Sequence, residues 1–313
     1  MITQAFVLGA GLGTRLRPLT EDLPKPLIPI FQKPLITFVL DHLIQAGVES
    51  FVINTHHRAP AFQALFAQGS YREHPVQLVH EPEILGTGGG IKNVERLLKP
   101  EAFISYSGDL LSDIDITELI DEHFRAGNDV TLALRETKHS TDVALEGKRV
   151  VDMAGRYGRQ GRYDFAGVCV WGPGIFERIP PGRHLSYIPV LAEWIGQGGQ
   201  IGGVVLQEGK WFNIGSRAEY LEVHRVIQEE RWRPAYVSEP EWPVQVAADA
   251  VVEPGVRFSG FHAVGAGCHV GADAFLENTI LWPGAEIASR SRLCNCIVRS
   301  HQKAEGEHRD LDI

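Results

Sequence analysis

The segment VLGAGLGTRLRPLTEDLPKPLIPI, Val7 to Ile30, sets three glycines at alternate positions, Gly9, Gly11 and Gly13. Arg15 and Arg17 follow at once, and Lys25 stands between Pro24 and Pro26. Each of these residue types suits a phosphate. Backbone N–H groups of a glycine-rich turn approach an anion closely, and a following helix start adds positive dipole. Two familiar phosphate loops do not fit. The GxGxxG pattern matches Gly9 and Gly11, but its third glycine would fall at Thr14. The GxxxxGK pattern needs a lysine directly after the glycines, and none is there. Taken singly, Gly9–Gly13 reads as a strand-to-helix turn, and Arg15 and Lys25 read as surface charge. Together they point to a phosphate site.

Other chemistry-bearing residues stand where apolar runs end. Asp109 closes AFISYSGD, and its alternative reading is a turn-forming residue after Gly108. Asp113 and Asp115 are expected to begin the next helix, where acidic residues suit the dipole. In EPEILGTGGGI the glycine density favours close approach of a ligand over a plain turn. His56 and His57 in NTHHRAP lack a third ligand at metal-site spacing, so a cleft-rim role is expected.

The elements that must carry these residues alternate. AFVLGAG, SFVINT, VQLVHE, AFISYSGD and DVTLAL read as strands. PLITFVLDHLIQAGV, PAFQALFAQG, GGIKNVERLL and DITELIDEHFRAGN read as helices between them, several closed by glycine. This order implies an α/β fold: a Rossmann-like, mostly parallel sheet with helices on both faces. Ligands in such folds bind beyond the carboxyl ends of the strands, so loops starting at Gly9, Asn54, Glu81 and Asp109 are expected to share one site.

The texture changes after RWRPAYVSEPEWPV. A six-residue rhythm follows at Val252, Phe258, Val264, Val270, Leu276 and Trp282, and its phase slips near Ile287 and Leu293. One inward apolar residue per short strand, with small residues at the corners, is what a left-handed parallel β-helix needs. The expected organisation is a catalytic domain over 1–235, a linker over 236–243, a short β-helix over 244–300 and a frayed charged tail over 301–313.

The formal charge of −9 argues against a nucleic-acid or membrane-surface binder, so positive charge must be local. The four cysteines, Cys169, Cys268, Cys294 and Cys296, form no CxxC and read as reduced thiols of a cytoplasmic protein. The N-terminus reads as a strand running into a glycine turn, not a signal peptide, and no apolar run is long enough to span a bilayer.

With Lys25 ten residues after Arg15, the opening segment resembles the signature of the sugar-1-phosphate nucleotidyltransferases. EPEILGTGGGI, YSGDLLSDID, YDFAGVCVWGP and KWFNIGS follow in that family's order, so the resemblance covers most of the chain. It implies the reaction of a nucleoside triphosphate with a sugar 1-phosphate to give a nucleoside-diphosphate sugar and pyrophosphate. Two anions must meet, so position and positive charge do most of the catalysis.

The same resemblance implies roles. The backbone of Leu8, Gly9, Ala10, Gly11, Gly13 and Thr14 would hold the nucleotide. Arg15 would clamp the β- and γ-phosphates as a planar fork. Lys25, with φ fixed on either side by proline, would stabilise charge at the α-phosphate. Glu81, Gly86, Thr87 and Gly88 would lie at base and ribose, and Gly167 along the sugar, with a strand bulge as its alternative. Asp109 would hold Mg²⁺. The second aspartate usual in the family's W-x-D-x-G position is here Asn213, which keeps a carbonyl ligand but loses a charge.

The family's Glu-Lys-Pro before the sugar strand is also absent. In its place Arg156, Arg159 and Arg162 read equally as contacts to an anionic sugar or as a covering loop. LGTGGGI with a β-helix tail is most like the mannose-1-phosphate guanylyltransferase branch. UTP with glucose 1-phosphate or N-acetylmuramate 1-phosphate, and a heptose 1-phosphate, stay open. A homo-oligomer through the β-helix is expected. Two other classes remain: an acyltransferase using His262 or His269, and a non-catalytic regulatory paralogue, for which Asn213 is the argument.

Overall fold

A computed structural model describes residues 1–137 and 140–313 of the chain. They form two compact units. The first comprises Met1–Leu12 and Val39–Trp211, the second Gly13–Phe38 and Phe212–Ile313. The boundary therefore falls inside the glycine loop.

The first unit is built on a ten-stranded sheet. Gln4–Leu8 is apolar on both faces and lies in its middle, parallel to Ser50–Thr55 on one side and Phe103–Ser107 on the other. His74–His80 continues the parallel run beside Ser50–Thr55. The expected parallel order stops there. Asp164–Trp171 runs antiparallel between Phe103–Ser107 and Val130–Arg135, and Ile201–Val205 then lies parallel to Val130–Arg135. The sheet is mixed because Asp164–Trp171 enters antiparallel between two strands that run parallel to each other. Trp171 packs in the core with Phe103 and Tyr187, its indole N–H donating to Ser105 Oγ at 2.7 Å.

Local chemistry sets the helix ends. Ile116–Ala126 is capped by Asp115, whose carboxylate accepts from the N–H groups of Thr117 and Glu118, and ends at Gly127 in the left-handed region. Asp115 thus begins the helix as expected. Asp113 does not: its Oδ1 accepts from the N–H of Lys210 at 2.5 Å.

In the second unit, helix Arg217–Glu229 is followed by a series of short parallel strands. Val251 pairs with His269, His269 with Glu286 and Glu286 with Lys303, so the chain returns every 17 or 18 residues. Val264, Val270, Leu276, Leu281, Ile287, Leu293, Val298 and Ala304 share one buried cluster. Two of the intervals are five residues long, which accounts for the slip in the sequence rhythm: Ile287 and Leu293 are interior after all. Trp282 is not the interior residue at its turn; Leu281 is. The Trp282 indole N–H instead donates to Tyr220 Oη at 3.0 Å, and Tyr220 Oη donates to the Pro29 carbonyl at 2.6 Å. Val252, expected to begin the rhythm, is exposed.

Residues 301–313, expected to fray, carry the strands Lys303–Ala304 and Glu307–Arg309. Arg217 holds Asp312 at 2.6 Å and the Ile313 N–H donates to the Ile297 carbonyl at 2.8 Å, so charge here ties the end down.

Candidate active site

The three glycines of the opening segment have three different reasons. At Gly9 a Cβ would lie 2.6 Å from the Asn54 carbonyl oxygen, so packing excludes a side chain. At Gly11 a Cβ would meet nothing within 4 Å. Its bare, exposed backbone is the part of the loop open to an incoming group. Gly13 has φ +61°, and a Cβ there would crowd Thr20 and the Lys25 Cβ at 3.0 and 3.2 Å.

Within the first unit, the Gly9 N–H is already used: it donates to Asn54 Oδ1 at 2.8 Å. Asn54 Nδ2 donates to Glu81 Oε1 at 2.8 Å, and Glu81 Oε2 accepts the Leu85 N–H at 3.0 Å. Asn54 and Glu81 are both buried. The N–H groups of Ala10, Gly11 and Leu12 have no acceptor in the chain among the described residues. The loop therefore presents a row of donors after its first one is tied down.

The glycines after Glu81 have a packing reason that the sequence did not reveal. A Cβ at Gly86 would lie 2.8 Å from the Leu185 carbonyl oxygen, and one at Gly88 would lie 3.0 Å from the Tyr187 nitrogen. The Gly88 and Gly89 N–H groups both donate to the Leu185 carbonyl, at 2.8 and 3.1 Å, and Thr87 Oγ1 accepts the Tyr187 N–H at 3.2 Å. The density of glycine that suggested close approach of a ligand is filled by the chain's own segment 183–187. This segment is the contact that sequence reasoning missed, and no local signal in it pointed there.

Asp109 is half-buried, and Gly108 brings it to the end of the central strand: the Gly108 N–H donates to the Leu8 carbonyl at 2.9 Å. A Cβ at Gly108 would lie 2.8 Å from that same oxygen. Gly167 has φ +80° where the register of Asp164–Trp171 shifts, so it is a bulge, and a Cβ would strike Leu110 Cδ1 at 2.6 Å. At the head of that strand, burial would raise the Asp164 pKa. The hydroxyls of Ser140 and Thr137 and the N–H groups of Thr141 and Ser140 outweigh it and hold the carboxyl well below its usual range.

Within the second unit, no long helix follows the glycine loop. Thr14–Leu16 and Lys25–Leu27 are single 3-10 turns, so the expected dipole is small and the charges must be on side chains. The Lys25 side chain is buried, and its stem lies against the bare face of Gly13. Arg15 is exposed, and its Nη2 would be 3.0 Å from a Cβ on Gly215. The turn containing half-buried Asn213 is thereby brought to Arg15. Glu219 holds that turn, accepting from the Gly215 N–H and Ser216 Oγ, both at 2.9 Å. Ser216-x-x-Glu219 is a capping box legible in the sequence.

His56 Nδ1 is engaged with the Glu81 carbonyl at 2.8 Å and its ring stacks on His80, which fits a rim role rather than a metal one. Among the described residues no three His, Cys, Asp or Glu side chains converge as a metal cage. A magnesium ion, which keeps waters and phosphate oxygens, needs only one or two protein oxygens, and the half-buried Asp109 carboxylate within the first unit is of that kind.

The sequence pattern of the nucleotidyl transferases matches residues 4–230. The chain belongs to the nucleotidyl transferase family. This nucleotidyl transferase is 30% identical to a mannose-1-phosphate guanylyltransferase of Mycobacterium tuberculosis (strain ATCC 25618 / H37Rv), over 90% of the chain and 80% of the relative. It is 25% identical to a UTP–glucose-1-phosphate uridylyltransferase of Synechocystis sp. (strain ATCC 27184 / PCC 6803 / Kazusa), over 94% of the chain and 87% of the relative. Its fold is shared with the inositol-1-phosphate CTP transferase from T. maritima, with a TM-score of 0.59, 21% identity, and coverage of 70% of this chain and 91% of that one. No helix among the described residues is long and apolar enough to cross a membrane.

Proposed function

We propose that this nucleotidyl transferase joins a nucleoside triphosphate to a sugar 1-phosphate, with GTP and mannose 1-phosphate as the substrate pair. The observation that carries the reading is the row of unused N–H groups at Ala10, Gly11 and Leu12, beside the open face of Gly11. A phosphate oxygen of the sugar attacks the α-phosphorus; the new O–P bond forms as the bond to the β-phosphate oxygen breaks, and pyrophosphate leaves.

Leu8, Gly9, Ala10, Gly11, Gly13 and Thr14 form the nucleotide-facing loop, with the donors coming from its unused N–H groups. Arg15 clamps the β- and γ-phosphates, and Lys25 stabilises charge growing at the α-phosphate. Glu81, Gly86, Thr87 and Gly88 shape the base and ribose side from beneath. Gly167, whose bulge leaves the strand bare of a side chain, lies along the sugar. Magnesium, when bound, neutralises the triphosphate, with Asp109 and Asn213 as its protein ligands.

The organisation that accompanies this reading is a catalytic domain over 1–235, a linker over 236–243 and a left-handed parallel β-helix over 244–300, followed by the 301–313 segment. The β-helix serves assembly into a homo-oligomer, and light scattering of the full chain checks it. The four cysteines are free thiols, in keeping with a cytoplasmic enzyme.

The test is a pyrophosphate-release screen of four nucleoside triphosphates against a panel of sugar 1-phosphates with Mg²⁺. GTP with mannose 1-phosphate is expected to give the highest kcat/KM. A maximum at UTP with glucose 1-phosphate replaces the substrate pair and keeps the reaction. Silence across the panel ends the reading.

A further inference from the structure

The glycine loop leaves the central strand at a point where buried side chains add a second set of links between three chain segments. Asn54 sits at the end of Ser50–Thr55, Glu81 directly after His74–His80, and Leu85 before helix Gly86–Asn93. One buried amide and one buried carboxylate link all of them to Gly9. Asn54 is 2% exposed and Glu81 1% exposed, and no lysine or arginine pairs with Glu81 among the described residues. A buried carboxylate without a cation is costly, so its hydrogen bonds must be well made. Gly90 makes room for it: a Cβ there would lie 3.0 Å from Asn54 Nδ2 and 3.2 Å from Glu81 Oε1.

The carboxylate accepts only, so it fixes which end of the Asn54 amide faces it. The nitrogen turns to Glu81 and the oxygen is left for the Gly9 N–H. That bond fixes the plane of the Leu8–Gly9 peptide, from which the loop with its unused donors at Ala10, Gly11 and Leu12 departs.

We propose that Asn54 and Glu81 are positioning residues for nucleotide binding: Glu81 orients the Asn54 amide, and Asn54 orients the glycine loop so that its free N–H groups converge on the triphosphate. This rests on the nucleotidyl-transfer reading above. In this role both act from beneath the loop, the side from which Glu81 also borders the base and ribose. Both act through Gly9.

The hydrogen-bond polarity supplies the test. Asn54→Asp sets a second carboxyl group against Glu81. The pair then has to share a proton, which raises one carboxyl pKa, so the loop is held at acidic pH and released as pH rises. Adding Glu81→Gln to Asn54→Asp reverses the polarity and satisfies every group again. The new carboxylate accepts from Gly9 and from the new amide, whose oxygen takes the Leu85 N–H.

Two readouts are compared in the full-length protein, well below each variant's melting temperature. One is amide hydrogen exchange in the peptide containing residues 8–12, which needs no activity. The other is KM for the nucleoside triphosphate against kcat. For Asn54→Asp at neutral pH the expected result is faster exchange and a KM raised about tenfold, the scale of one lost hydrogen bond, with kcat changed less. The exchange defect shrinks as pH is lowered toward about 5.5 and disappears in the double variant. Unchanged exchange in Asn54→Asp overturns the clasp. Altered exchange with an unchanged KM overturns its positioning role and leaves nucleotidyl transfer standing. A wild type that is silent in the pyrophosphate screen removes the proposed function, and the clasp is then judged on exchange and its rescue alone.

Discussion

Gly215 leaves the space that the guanidinium of Arg15 occupies: a Cβ on Gly215 would stand 3.0 Å from Arg15 Nη2 and 3.4 Å from Glu219 Oε2. The arginine of the glycine loop and the turn that carries Asn213 are therefore fitted to each other within the second unit. Gly215→Ala should push the flexible end of Arg15 aside at little structural cost. We expect kcat/KM to fall roughly 10- to 100-fold, the scale of one displaced phosphate donor, with the melting temperature nearly unchanged. Steady-state kinetics alongside a thermal melt decide it, and wild-type kinetics in the variant would show that Arg15 needs no such space.

Lys25 is buried and held in a 3-10 turn that begins at Pro24, so its backbone is set before substrate arrives. Lys25→Ala should lower kcat by about 100-fold or more while nucleotide affinity changes only a few-fold, because the charge it meets grows during the reaction. Single-turnover rates compared with calorimetric nucleotide binding separate the two. Near-normal turnover would remove Lys25 from the catalytic set.

In the proposed metal site Asn213 would offer magnesium a neutral oxygen where a carboxylate would offer a charge. Asn213→Asp is expected to lower the magnesium concentration for half-maximal activity by roughly 3- to 10-fold, since affinity for such ions follows ligand charge. A magnesium titration reads this directly. An unchanged midpoint would count against a ligand role for position 213.

His224 is fully buried among Phe31, Tyr220 and Phe261, with Nδ1 donating to the Tyr220 carbonyl at 2.8 Å. Burial lowers its pKa from 6.5 to about 4. His42 and His123 are likewise lowered to about 4, mainly by burial. All three are neutral when folded and take up a proton on unfolding below about pH 6.5. Their contribution to stability is therefore full above pH 6.5 and falls away as pH drops toward 4. The melting temperature should decline over that window, and His224→Leu should flatten the decline by about 1–2 kcal/mol between pH 6.5 and 5. Parallel wild-type and variant curves would sink the assignment to His224.

Much of this site was legible because its signals are local. The spacing of Gly9, Gly11, Gly13, Arg15 and Lys25 and the cap at Asp115 all concern residues near one another in sequence. The C-terminal rhythm was legible up to Leu276 for the same reason. It then misled at Trp282, because a single shortened interval moves the next residue from the interior to the face toward Tyr220.

The sequence alone pointed to the reaction class, through the resemblance of its glycine loop, Arg15 and Lys25 to the signature of the sugar-1-phosphate nucleotidyltransferases. It also determined that strands and helices alternate through the first part of the chain. The tertiary structure decided what each glycine is for. Gly9, Gly88 and Gly90 are glycines because backbone or buried side chains from distant segments press against them, whereas Gly11, between Gly9 and Gly13, opens outward. It decided, too, that Asn54 and Glu81, 27 residues apart, meet beneath the loop. Close approach between segments is set by packing across the sheet, and no local spacing encodes it.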